Sequence, residues 1–296
     1  MMTTFKKAVS LASALLFAGL FFRTADASQV HETARKFIIY EYVPYSTHIA
    51  DGEVVTEPSF KSYLESLGIH RIDVIYRNRF MTDGRPDKQK IEDIAKSALA
   101  APGIPASFDT EFGQRFKPET VIPRVSEILR IFHHYNTVIP AGVYATAPQN
   151  TFAWKPNTPA RFDALNPRYA SVARQVDFLS PVLYNYNGGD TARWRLNADY
   201  NMQAAKKYHT GKPIIPYINI AVVLKTSKRD KRAPILVRML TEAQMHARLQ
   251  ALYDLGASGC IVWASTRFRT ADGKTPVFDR NSGWGKALAD FAQAHG

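Results

Sequence analysis

A single cysteine, Cys260, serves the whole 296-residue chain, so no intrachain disulfide and no cysteine-based zinc site can form. It sits in the apolar run Gly259-Cys260-Ile261-Val262-Trp263, where a thiol acts as a small buried hydrophobe. There is no HExxH pattern, and His133 and His134 are adjacent, which on a helix gives them different faces. The sequence therefore implies neither a metal site nor a cofactor. A G-x-S-x-G nucleophile elbow is missing, and so is a glycine-rich dinucleotide turn, the one dense glycine pair being Gly188-Gly189. With 46% hydrophobic and 22% charged residues, the composition excludes disordered, collagen-like and coiled-coil classes.

What is present begins with a leader. Lys6 and Lys7 precede an apolar run from Ala8 to Phe22 that ends near Ala25-Asp26-Ala27, the pattern of a secretory signal peptide with cleavage after residue 27. That run is shorter than the roughly 20 apolar residues a membrane span needs, and no later segment reads as a span, so no integral membrane segment is expected after cleavage. The expected location is secreted or periplasmic, which argues against a nucleic-acid partner. Without residues 1–27 the chain holds 35 basic and 25 acidic residues, a net charge of +10. Such a field attracts anionic polymers or surfaces, although general solubility explains it equally well.

From residue 37 onward, short apolar runs alternate with segments of helical periodicity, as in successive βα units around a parallel sheet. The runs are Phe37 to Val43, Arg71 to Tyr76, Ile104 to Asp109, Val138 to Tyr144, Asp177 to Tyr184, Pro213 to Asn219 and Cys260 to Ala264. Helices are expected over Ser59 to Leu67, Lys88 to Leu99, Glu119 to Tyr135, Pro167 to Arg174, Thr191 to His209, Thr241 to Leu255 and Trp284 to Ala294. The pattern predicts an α/β fold, a distorted TIM-like (β/α) barrel of seven strands, forming one domain over residues 28–296. Pro140, Pro181 and Pro216 fall inside three of the strands and remove ladder donors there, so bulges or irregular barrel edges are expected.

In a βα barrel the reacting groups lie at the C-terminal ends of the strands. The third run ends Asp109-Thr110-Glu111, and two acids at i and i+2 of an extended chain face the same way with Cα atoms roughly 6.5 Å apart. One charged carboxylate then raises the pKa of the other, which is how a glutamic acid stays protonated as a general acid. Other strand ends supply Tyr144, Tyr184, Asn185, Tyr217 and Trp263. Aromatic faces and amides around carboxylates suit a sugar, while core packing explains each tyrosine singly. Trp154 and Trp194 are candidate platforms or ordinary packing. The run Lys225 to Arg232 holds five basic residues of eight and should overhang the same mouth, either gripping an anionic chain or simply solvated.

These motifs resemble the hyaluronidases of glycoside hydrolase family 56. The likeness rests on Asp109-x-Glu111 at the third strand end, Gly142-Val143-Tyr144, Ser180-Pro181-Val182-Leu183-Tyr184, Ile215-Pro216-Tyr217-Ile218 and the stretch Gly256 to Trp263. Thr110 stands where animal members usually have tryptophan, and the family's disulfides are absent. The resemblance implies a seven-stranded barrel and substrate-assisted retention on an anionic or N-acetylated polysaccharide. Glu111 would be the proton donor and Asp109 would orient the acetamide. Tyr184 and Tyr217 would hold it, and Trp263 would wall its pocket. Competing readings are a similar barrel acting on chitin- or peptidoglycan-like polymers and a non-catalytic carbohydrate-binding barrel.

Overall fold

The structure, a computed structural model, describes residues 35–44, 47–50, 52–56, 60–227, 230 and 232–296. The leader expected over residues 1–27 lies outside them, as do Lys228, Arg229 and Lys231 of the basic run. Arg35 to Gly296 make one compact unit, and no helix among the described residues is long and apolar enough to cross a membrane.

Two all-parallel sheets form the heart of the molecule. In the first, Ile38–Tyr42 lies between Gly259–Trp263 and Ile69–Arg71, and Tyr217–Asn219 adds to the outer side of Gly259–Trp263. In the second, Ala106–Phe108 lies between Asp73–Ile75 and Ala141–Val143. Ile72 alone separates Ile69–Arg71 from Asp73–Ile75, so the chain passes directly from one sheet to the other. On the far side, the Asp177 N–H donates to the Ala141 carbonyl at 2.8 Å, and single parallel bridges join Leu179 to Ile214 and Val182 to Tyr217.

Proline explains why pairing is sparse on that side. Pro140, Pro181 and Pro216 have no N–H to give, yet each carbonyl still accepts, from Ala106, Tyr217 and Ile261 at 2.8–2.9 Å. Each loses one half of a ladder step. The strands Ala141–Val143 and Tyr217–Asn219 accordingly start just after Pro140 and Pro216, and the expected strand Asp177 to Tyr184 is reduced to two isolated bridges around Pro181.

Strand alternation splits the core into two layers. One layer lies between strands and helices and includes Ile39, Phe108, Phe132 and Val262. The other, on the opposite face of the strands, contains Val74, Phe178, Val182, Ile215, Tyr217 and Ile261, with Tyr40, Tyr42, Tyr76, Tyr144, Tyr184 and Trp263 packed on it. Gly142 belongs to this inner arrangement, since a Cβ there would sit 2.4 Å from the Phe178 ring.

The helices follow the expected segments closely, with Lys88–Leu99, Ile122–Tyr135, Thr191–Lys206, Glu242–Asp254 and Gly283–His295. Asp87 and Asp190 cap the first and third through their side chains, and Thr241 with Gln244 forms a capping box on the fourth. The segment read as a helix over Pro167 to Arg174 is instead a 3-10 turn, Asn166–Tyr169, followed by the short helix Ala170–Gln175. Periodicity did not signal the antiparallel pair Ala221–Lys225 and Ile235–Met239, to which Phe268–Arg269 adds in parallel. Of the basic run, Lys225 ends the first of these strands.

Candidate active site

The strand Ala106–Phe108 stops at Phe108, and the chain tightens at Glu111, where the Phe112 N–H donates to the Thr110 carbonyl at 2.8 Å. Asp109 and Glu111 both line one cavity of about 210 Å³, together with Val74, Tyr76, Tyr144, Tyr184, Tyr217 and Trp263. Thr110, between the acids, turns into the wall, where its hydroxyl meets the Thr146 hydroxyl at 2.7 Å. This bond ties the third strand end to the fourth and makes room for a small β-branched residue between the acids. Past Glu111 the chain turns back at Gly113, whose φ of +68° and 2.6 Å approach of a would-be Cβ to the Thr120 carbonyl suit only glycine.

The two acids have different surroundings. Glu111 is exposed and Asp109 is largely buried. Burial, then the neighbouring Glu111 charge, pushes the Asp109 carboxyl up to about 6, against a smaller lowering effect of the Glu111 N–H, which donates to Asp109 Oδ1 at 3.4 Å. The sequence reading expected the raised group to be the glutamic acid. The raised carboxyl in the structure is that of Asp109, which is less exposed than Glu111.

An aromatic wall surrounds the acids. Trp263 stacks on Tyr184 at 5.5 Å between centroids, and Tyr144 stands edge-on to Tyr217 at 5.0 Å. The Trp263 indole N–H donates to the Tyr76 hydroxyl at 3.1 Å, and Tyr217 donates to Ser107 Oγ at 2.7 Å. Burial raises the phenols of Tyr144, Tyr184 and Tyr217 well above their usual range, so they stay neutral and act as hydrogen-bonding groups.

Of the residues expected at the site, Asp109, Glu111, Tyr144, Tyr184, Tyr217 and Trp263 come together, and Asn185 does not line the cavity. Its amide is buried and donates to Asn219 Oδ1 at 2.7 Å and to the Ala221 carbonyl at 3.0 Å, while its oxygen accepts from Arg248 Nε at 2.8 Å. Asn185 is therefore framework, locking the Tyr184 strand end to the Tyr217 strand end. Trp194 is framework too, buried with its indole donating to the Leu183 carbonyl and the Arg248 guanidinium 5.2 Å above its ring. Tyr76 and Val74 were missed, although Tyr76 ends the second apolar run and the strand-end rule reaches it.

No family model matches the chain, and no curated protein does. Among solved structures, the chain is similar to bee venom hyaluronidase at 14% identity, covering 78% of this chain and 92% of that one with a TM-score of 0.50. It is also similar to the endo-β-1,4-mannanase from Thermotoga petrophila, at 15% identity over 86% of this chain and 66% of that one, again with a TM-score of 0.50. Likeness at this level is one of fold: a mixed α/β, TIM-barrel-like architecture also seen in glycoside hydrolases.

Proposed function

We propose that the protein is a retaining glycoside hydrolase of the hyaluronidase kind, cutting an N-acetylhexosamine-containing polysaccharide with help from the substrate's own acetamido group. The observation that carries this is the pairing of Asp109 and Glu111 on one edge of an aromatic-walled cavity whose lining, among the described residues, holds no third acid. Direct attack by water needs a base opposite the proton donor. With both carboxylates on one strand end, the substrate's acetamide oxygen supplies the nucleophile instead.

In this reading the exposed Glu111 gives its proton to the glycosidic oxygen and afterwards takes one from water. Asp109 accepts the acetamide N–H and turns the acetamide oxygen toward the anomeric carbon, forming a cyclic oxazolinium-type intermediate. Tyr184 and Tyr217 flank the acetamide, and Trp263 closes the pocket behind it. Kinship with family 56 fits the consecutive parallel pairings, read as a distorted seven-stranded barrel, and fits export directed by residues 1–27.

Glu111→Gln keeps the shape of the side chain but removes the transferable proton, so turnover should fall by about 10²–10⁴-fold or more with binding retained. A panel of hyaluronan, chitin oligomers and peptidoglycan identifies the glycan. Proton NMR of the first product should show the retained anomer, and a thiazoline mimic of the cyclised acetamide should inhibit. An inverted first product, or normal turnover by Glu111→Gln, refutes the mechanism.

A further inference from the structure

The antiparallel pair Ala221–Lys225 and Ile235–Met239 stands outside the parallel sheets, and the chemistry of the acid pair gives it no task. It leaves from strand ends that line the cavity: Ile220 alone separates it from Tyr217–Asn219, and Phe268–Arg269, which joins it, follows Gly259–Trp263. Its root is firmly packed, with Ala221, Val222, Ile235, Val237 and Phe268 buried. Its far end is not. Val223, Leu224, Lys225, Thr226 and Ser227 are exposed in succession, Val223 at 45% and Leu224 at 53%.

A regular strand sends neighbouring side chains to opposite faces, so one of two adjacent aliphatics should turn inward. Here the register shifts between Val223, opposite Val237, and Lys225, opposite Leu236. Leu224 is the extra residue of a bulge, and both aliphatics stay exposed. Left in water, they contribute no burial to the fold. Charge is equally one-sided: residues 221–240 hold six basic residues, one acid, Asp230, and no aromatic residue. Asp230 Oδ1 accepts the Arg232 backbone N–H at 2.8 Å. Among the described residues, no carboxylate forms an ion pair with the exposed Lys225, Arg232 or Arg238.

We propose that this hairpin docks the protein on a bilayer containing anionic phospholipid, with Val223 and Leu224 entering the headgroup boundary and Lys225, Arg232 and Arg238 meeting lipid phosphates. Aliphatic side chains flanked by cations are what such an interface takes up. A sugar chain asks for aromatic faces and a groove, and the hairpin carries no ring. Docking tethers to the bilayer the strand ends from which the hairpin leaves, those bearing Tyr217 and Trp263. The proposal goes beyond the glycosidase reading and does not depend on it.

The test uses the chain from residue 28, which removes the apolar run from Ala8 to Phe22 and keeps the whole compact unit from Arg35 onward. Co-sedimentation is read with vesicles of phosphatidylcholine alone and of phosphatidylcholine mixed with phosphatidylglycerol. Anionic vesicles should bind about tenfold or more tightly than neutral ones, and added salt should shrink the preference. Val223→Ser with Leu224→Ser should weaken anionic binding about tenfold, and Lys225→Gln with Arg232→Gln about 30-fold. All four side chains are exposed, so the fold tolerates both exchanges, and unchanged melting temperatures verify this. No binding to anionic vesicles, equal binding to the two kinds, or full binding by either double variant overturns the proposal. Loss confined to the glutamine pair, with soluble hyaluronan displacing the vesicles, marks a grip on polyanions and overturns it too. Each of these failures leaves the glycosidase reading standing.

Discussion

Asp109→Asn should make the protein more stable above neutral pH and leave it unchanged near pH 4. In the folded state the carboxyl is pushed up to about 6, mainly by burial and secondarily by the Glu111 charge, against about 3.9 in an unfolded chain. The folded protein therefore holds this proton more tightly than the unfolded one. Stability contributed by the protonated group is complete below the unfolded value, and it is lost as pH rises through about 4 to 6. A shift of about 2 pK units corresponds to about 3 kcal/mol at 1.36 kcal/mol per unit, an upper figure because the carboxyl is partly solvated. Asparagine mimics the neutral acid at every pH. Urea unfolding of both proteins between pH 4 and 8 should give curves that coincide at the acid end and separate by up to about 3 kcal/mol at pH 8. In a Glu111→Gln background the separation should narrow, since one cause of the shift is gone. A pH-independent difference, or a less stable Asn variant at pH 8, refutes the assignment of Asp109 as the strained acid.

If the ionised Asp109 must receive the acetamide N–H, kcat/KM should fall as pH drops below about 6, and that limb should be missing from the residual activity of Asp109→Asn. Gly142→Ala drives a methyl to within 2.4 Å of the Phe178 ring and should cost about 1–3 kcal/mol in denaturant unfolding as the inner core is overpacked. Arg248→Ala removes the donor to Asn185 Oδ1 and the cation above Trp194. It should lower stability by about 3 kcal/mol and loosen the Tyr184 and Tyr217 strand ends, which a raised KM for glycan would register.

Much of this was legible from residue order because it depends on period-two alternation. Asp109 and Glu111 share a cavity that Thr110 does not line, as the spacing predicts, and tyrosines at strand ends meet because parallel strands end on one side. Which acid is strained was not legible, since burial of a strand end is a property of the assembled strands. Asn185 and Trp194 look like ligand groups in a linear reading, and only the buried Arg248, arriving from a helix 63 residues beyond Asn185, gives them a structural task.

Pro140, Pro181 and Pro216 leave the parallel strands around them with an uneven set of backbone hydrogen bonds. Around Pro181 the backbone bonds run to one neighbour, Leu179 and Leu183 donating to the Pro213 and Tyr217 carbonyls, and side chains, Asn185 with Asn219 and Arg248, add to the holding. Hydrogen exchange should therefore be fastest, among the inner strands, along residues 177–183, and slowest along Ile38–Tyr42, which is paired on both edges. The edge bearing Tyr184 should thus open more readily than the doubly paired strand, and an occupied pocket should be seen first as protection of that edge.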